Sequence, residues 1–117
     1  MNLRSLFPLL LVVPAFAASA QPAGEPDAAR ERALVHMVRQ DCGSCHGMRL
    51  TGGLGPALTP AALADFPLEN LAAVIYHGRP GTPMPPWKAM LSEDEARWIA
   101  LRLQQGFPQE FPSGDPK

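Results

Sequence analysis

The sequence predicts an all-α domain with long loops, and three observations carry that prediction. Apolar residues recur at helical spacing in three stretches, centred on Leu34–Val38, Leu68–Ile75 and Ala96–Leu103, and no stretch alternates with period two. Helix start and stop signals bracket these stretches. Between them lie loops that hold half of the 14 prolines and seven of the 10 glycines. At 117 residues the chain is long enough for one domain, and it contains no internal repeat.

Residues 1–20 read as a signal peptide. Arg4 and the free amine make a positive start, and Leu6 to Ala18 is apolar but interrupted by Pro8 and Pro14. The run is too short for a spanning helix, which needs about 20 residues. Ala18-Ser19-Ala20 offers the small-residue cleavage pattern, with Gln21 as the mature N-terminus. An uncleaved membrane anchor is the competing reading. No lipid-attachment cysteine follows the apolar run. Export from a bacterial cytoplasm places the protein in the periplasm, with no membrane span after cleavage, where free thiols are oxidised unless occupied.

Residues 21–27 are small, polar and proline-bearing and predict a flexible leader. The domain proper spans 28–106. A first helix is expected over 28–40, with Leu34, Met37 and Val38 facing the core and Arg32, His36 and Arg39 facing solvent. A glycine-rich loop is expected from Gly43 to Gly55. Thr59 before Pro60 caps a short helix over Ala61 to Ala64. Pro67 opens another, with Leu68, Leu71, Ala72 and Ile75 inward and Gly78 as its stop. Residues 79–87, rich in proline, exclude regular structure. Ser92-Glu93-Asp94-Glu95 is a capping box that launches the last helix, whose core face is Ala96, Ile99, Ala100 and Leu103 and whose stop is Gly106. The proline-rich stretch 107–117 is expected to wander as a tail.

Composition excludes several classes of function. A net charge of −1 without Lys/Arg-rich runs leaves no electrostatic footprint for nucleic acid. Two cysteines build no disulfide scaffold, and three histidines do not complete a zinc set. No Ser/His/Asp or paired-carboxylate constellation is present, so the chain is read as no enzyme.

Both cysteines fall in Cys42-Gly43-Ser44-Cys45-His46, the Cys-x-x-Cys-His signature of covalent haem c attachment. Two thiols three apart at a helix end can each add to one haem vinyl group, and the adjacent imidazole is then held as an iron ligand. Gly43 and Gly47 add little bulk where backbone must lie near the porphyrin. A thioredoxin-like pair wants a βαβ setting that is missing, and a plain disulfide here closes a tiny loop and gains little.

Here the chain resembles the class I monohaem c-type cytochromes. The resemblance rests on Cys42-Gly43-Ser44-Cys45-His46, Gly55-Pro56-Ala57-Leu58, Ile75-Tyr76-His77-Gly78 and Met84-Pro85-Pro86-Trp87. The wording from Cys42 to Gly53 and from Gly78 to Met84 is similar to the small periplasmic cytochromes c that accompany cytochrome cd-type nitrite reductase in denitrifying bacteria. The resemblance implies the cytochrome c fold, three to five short helices with long loops wrapped around one covalently bound haem. It implies a sixth ligand from a downstream methionine, and a carbonyl from Pro56 that accepts the proximal histidine N–H. A one-electron carrier in denitrification follows, either donating to nitrite reductase or serving an oxidation step in maturation of its d-type haem.

Four methionines outside the signal compete for the sixth position. Met37 is explained by core packing, Met48 is too near His46 to reach the opposite face, and Met90 is explained by a contact beside Leu91. Met84 stands in a loop stiffened by Pro83, Pro85 and Pro86. His77, in a last helical turn, has an ordinary capping role available, and His36 lies on a polar face. His46 and Met84 are therefore the expected iron ligands. A soft thioether favours Fe(II), which raises the reduction potential relative to two histidines.

Two departures from the family bear on packing. Leu34 and Val38 stand where many members have a glycine and an aromatic residue at the crossing of first and last helices. A wider crossing is expected, with Ala96, Ala100 and Trp98 compensating. Arg49, Arg79 and Lys88 all fall in loops expected to frame the haem, predicting a locally basic docking face for a redox protein partner. The chain is read as a monomer. The alternative function is a haem enzyme or a gas or peroxide sensor in which Met84 dissociates, and proline rigidity around Met84 weighs against it.

Overall fold

The computed structural model describes residues 12–14 and 24–110. The signal-peptide reading, the cleavage site, the leader before Gly24 and the tail beyond Glu110 lie outside the described residues, Val12–Pro14 aside. Among the described residues every regular element is helical.

α1 spans Ala28–Met37, and Asp27 caps it by accepting the Arg30 N–H at 2.8 Å. The helical backbone does not stop near Gln40. It passes into a π-helical segment, Val38–Cys42, and then into α2, Gly43–His46. The Gly43 N–H donates to the Val38 carbonyl five residues back. Gly43 is buried, with the Met48 backbone 3.5 Å from where its Cβ would stand. Tertiary packing thus keeps helical a glycine that local propensity assigns to a loop.

α3 covers Pro60–Leu63, with the Thr59 hydroxyl accepting the Ala62 N–H at 3.3 Å and proline in the first turn. α4 runs Leu68–His77 and ends at Gly78, whose φ of +70° reverses the chain. α5 runs Glu93–Gln105 behind a capping box formed by Ser92 and Glu95. These three helices match their expected positions to within a residue or so at each end.

The core gathers Leu34, Val35 and Val38 from the first helical rod, Leu50 and Leu63 from the loop and α3, Leu91, and Trp98, Ile99 and Leu103 from α5. α5 lies mainly against α4 and then α3, while the first rod meets it through side chains. Ala96 and Ala100 are fully buried.

Three expectations fail at the far side of α5. Arg39, expected on a solvent face, is only 7 % exposed. Its Nε and Nη2 donate to the carbonyls of Phe107 and Pro108 at 2.8–3.1 Å, and its guanidinium lies over the Phe107 ring. The segment from Phe107 to Glu110 consequently does not wander. Phe107 packs on the core, and the Glu110 carboxylate takes hydrogen bonds from His36 and Gln40. Trp98 serves this strap rather than the helix crossing. Its ring meets Phe107 edge-on at 6.3 Å and carries the Arg102 guanidinium at 5.3 Å.

Candidate functional site

The helical rod determines how the two cysteines are presented. Cys42 closes the π segment, half-buried against the core, and Cys45 follows one turn later, exposed. The two thiols are not bonded to one another. Burial pushes the Cys42 thiol up to about 11, and the Asp41 carboxylate adds to the rise. At neutral pH it is an uncharged group suited to an apolar neighbour.

His46 is the last residue of α2. Its Nδ1 donates to the Pro56 carbonyl at 2.7 Å. A carbonyl only accepts, so the proton is on Nδ1 and the Nε2 lone pair is free to bind a metal. Pro56 reaches this position because the loop 47–58 folds back over the end of α2. The N–H groups of Gly52 and Gly55 donate to the carbonyls of His46 and Cys45, each at 2.8 Å, and Leu58 N–H closes on the Leu50 carbonyl.

The return is close enough to leave no room for side chains. A Cβ on Gly55 would stand 2.7 Å from His46 Cε1, and one on Gly53 would stand 2.7 Å from the Cys45 carbonyl. Gly47, at φ +89°, faces the Gly52 carbonyl at 2.5 Å in the same way. Sequence reasoning missed Gly53 and Gly55. The one available signal was the glycine immediately before Pro56.

Met84 is half-buried in a loop tied to the last turn of α4. The Arg79 N–H donates to the Met84 carbonyl at 3.2 Å, and the Met84 N–H donates to the Thr82 hydroxyl at 3.3 Å. That hydroxyl donates in turn to the Arg79 carbonyl at 2.7 Å. Beyond the prolines, Trp87 and Lys88 N–H groups donate to the carbonyls of Ile75 and Tyr76. Thr82 is a third residue that sequence reasoning did not single out.

The other methionines and histidines are placed differently. Met48 and Met90 are more than half exposed, and no buried contact explains Met90. Met37 packs on the core. His77 is exposed, edge-on to the Tyr76 ring at 4.8 Å, and His36 is engaged by Glu110. Among the described residues no group of three or more His, Cys, Asp and Glu side chains is placed to hold a metal ion. The donor set therefore suits an iron already held by a ring ligand, attached through the two thiols, with one oriented imidazole below it.

A helical domain in which Cys-x-x-Cys-His closes a helix, and a loop carbonyl orients that histidine, is the architecture of a c-type cytochrome. Residues 28–101 match the family described as cytochrome c oxidase, cbb3-type, subunit III. The chain is 62% identical over 81 residues to cytochrome c55X of Pseudomonas aeruginosa, a match covering 69% of this chain and 68% of that protein. Among solved structures it is similar to the c-type cytochrome NirC, with TM-score 0.68 and 60% identity over 69% of this chain and 95% of that one. It is also similar to part of dihydro-heme d1 dehydrogenase NirN in complex with DHE, with TM-score 0.54 and 32% identity over 70% of this chain but 16% of that one. The chain belongs to the c-type cytochromes, in the group of cytochrome c55X, and its cofactor is covalently attached haem c. It is a carrier of electrons rather than an enzyme, as its cytochrome relatives are. No helix among the described residues is long and apolar enough to cross a membrane.

Proposed function

We propose that this cytochrome is a periplasmic one-electron carrier whose iron is held by His46 Nε2 and the Met84 thioether. Bound through Cys42 and Cys45, the haem supplies a one-electron Fe(III)/Fe(II) couple. The chain's residues do the rest. The bond from His46 Nδ1 to the Pro56 carbonyl is the observation that carries this reading, because it aims Nε2 and strengthens its donation. The tied loop bearing Met84 supports a filled sixth position, which favours a carrier over an oxygen- or peroxide-handling haem.

The likeness to NirC and to part of NirN supports exchange of electrons within denitrification. The partner is a nitrite reductase or an enzyme that oxidises a dihydro-haem d1 during maturation of that cofactor. Arg49, Arg79 and Lys88 are exposed and form no ion pair among the described residues. No acidic residue occurs from Cys42 to Ala64 or from Gly78 to Ser92, so the two loop regions present an uninterrupted basic character to such a partner.

Met84→Ala tests the ligand set. The oxidised holoprotein is expected to lose the weak red-edge absorption band of a Met–Fe(III) bond, and its reduction potential is expected to fall. An unchanged spectrum and potential would overturn the assignment.

A further inference from the structure

Gly78 is read at first only as a helix stop. Its surroundings give it a second task. It is buried at φ +70°, and a Cβ there would meet Pro86 N at 2.6 Å, the Pro85 carbonyl carbon at 2.7 Å and the Met84 carbonyl oxygen at 2.9 Å. All three are backbone atoms, so no side-chain rotation relieves the conflict. The residues whose backbone lies on Gly78 are Met84 and the two prolines that stiffen its exit.

The segment is held at both ends, just past α4 on one side and on α4 itself on the other. Arg79 N–H reaches the Met84 carbonyl on one side, and Trp87 and Lys88 N–H groups reach the Ile75 and Tyr76 carbonyls on the other. Between these ties the backbone of Met84–Pro86 lies directly on the α-carbon of Gly78. With φ fixed at Pro85 and Pro86, the loop has few ways to move outward except as a unit.

We propose that Gly78 is the positioning residue for the sixth ligand: by having no side chain it lets the Met84–Pro86 backbone seat against the end of α4 and holds the thioether in place. This rests on Met84 as ligand. A Cβ at position 78 lifts the loop as a block, opens the sixth site and turns a closed carrier into a haem that binds external ligands.

Gly81 provides the control. It also has positive φ, +77°, in the same loop, but a Cβ there meets nothing within 4 Å. Gly81→Ala therefore places a methyl at a positive-φ position of the same loop without a collision. The experiment compares holoproteins of wild type, Gly78→Ala, Gly81→Ala and Met84→Ala by the red-edge band of the oxidised form and by carbon monoxide binding to the reduced form at neutral pH. Gly78→Ala is expected to weaken or abolish the band and to raise the fraction that binds carbon monoxide by about tenfold, the population shift that local strain of this size supplies. Gly81→Ala is expected to keep the band and to bind little.

A band retained in Gly78→Ala but lost in Met84→Ala overturns the role of Gly78 alone. A band retained in Met84→Ala overturns the ligand assignment itself. Equal loss in Gly78→Ala and Gly81→Ala overturns the close-contact argument. Should Gly78→Ala take up no haem, Thr82→Val decides: it removes the hydroxyl that bonds both Met84 N–H and the Arg79 carbonyl without adding bulk against α4. A weakened band there supports a thioether held in place by the backbone path of its loop, on which the role of Gly78 depends, and an unchanged one overturns it.

Discussion

Gly55 contributes to the site by what it lacks. With His46 Cε1 2.7 Å from the place a Cβ would occupy, any larger residue displaces either the imidazole or the loop that carries Pro56. Gly55→Ala is expected to destabilise the holoprotein by about 2 kcal/mol, the cost of forcing bulk into a packed site, and to raise its potential, because a longer His46–Pro56 bond leaves the imidazole a weaker donor to Fe(III). Thermal unfolding and redox titration measure the two effects. Pro56→Ala, which retains the carbonyl, is expected to change the potential far less. Cys42, Cys45 and His46 were legible in the sequence because covalent attachment dictates residue type and spacing together. Gly53, Gly55 and Gly78 were not, because the atoms that crowd them come from segments whose return path no local pattern encodes.

Among the elements, the helices with chemical caps were the readable ones. Thr59 and Ser92 announce α3 and α5 through side-chain oxygens that accept first-turn N–H groups. The rod from α1 through His46 was misread at its end because Gly43 argues locally for a loop while packing against Met48 argues for a helix. Arg39 was misassigned because an arginine on a helix is ordinarily solvated, and its acceptors, the Phe107 and Pro108 carbonyls, lie far along the chain. The α5 cap also makes a testable link to α1. Burial alone would raise the Glu95 carboxyl, but hydrogen bonds from Arg30 at 2.5 Å and from the Ser92 N–H outweigh it and hold it below the usual carboxylate range. A carboxyl depressed in the folded state stabilises above its unfolded value, about 4.3, and that stability disappears as pH falls through the folded value. Glu95→Gln is therefore expected to be less stable than wild type at pH 7, with the difference closing below about pH 4 in denaturant titrations across the acid range.

Over the whole molecule, charge is sorted even though its sum is near zero. Glu69, Glu93 and Asp94 line a groove between α4 and α5, together with His77 and Arg97. The loops that bear the site residues hold only Arg49, Arg79 and Lys88 as charged groups. Association with an acidic redox partner is expected to slow by about tenfold for Arg49→Glu at low salt, with the gap shrinking as ionic strength screens it. Stopped-flow electron transfer across a salt series reads this, and a gap unaffected by salt counts against steering. The crowded glycines have a consequence of a different kind. At positions 47, 53, 55 and 78 the first atom of any side chain would come within 2.5–2.7 Å of a neighbouring group. For a lineage under mutation these codons are closed doors, while the charged faces of α1, α4 and α5 stay open to drift. Descendants can acquire new partners by recolouring those faces, but retuning the iron must come from residues outside the glycine frame.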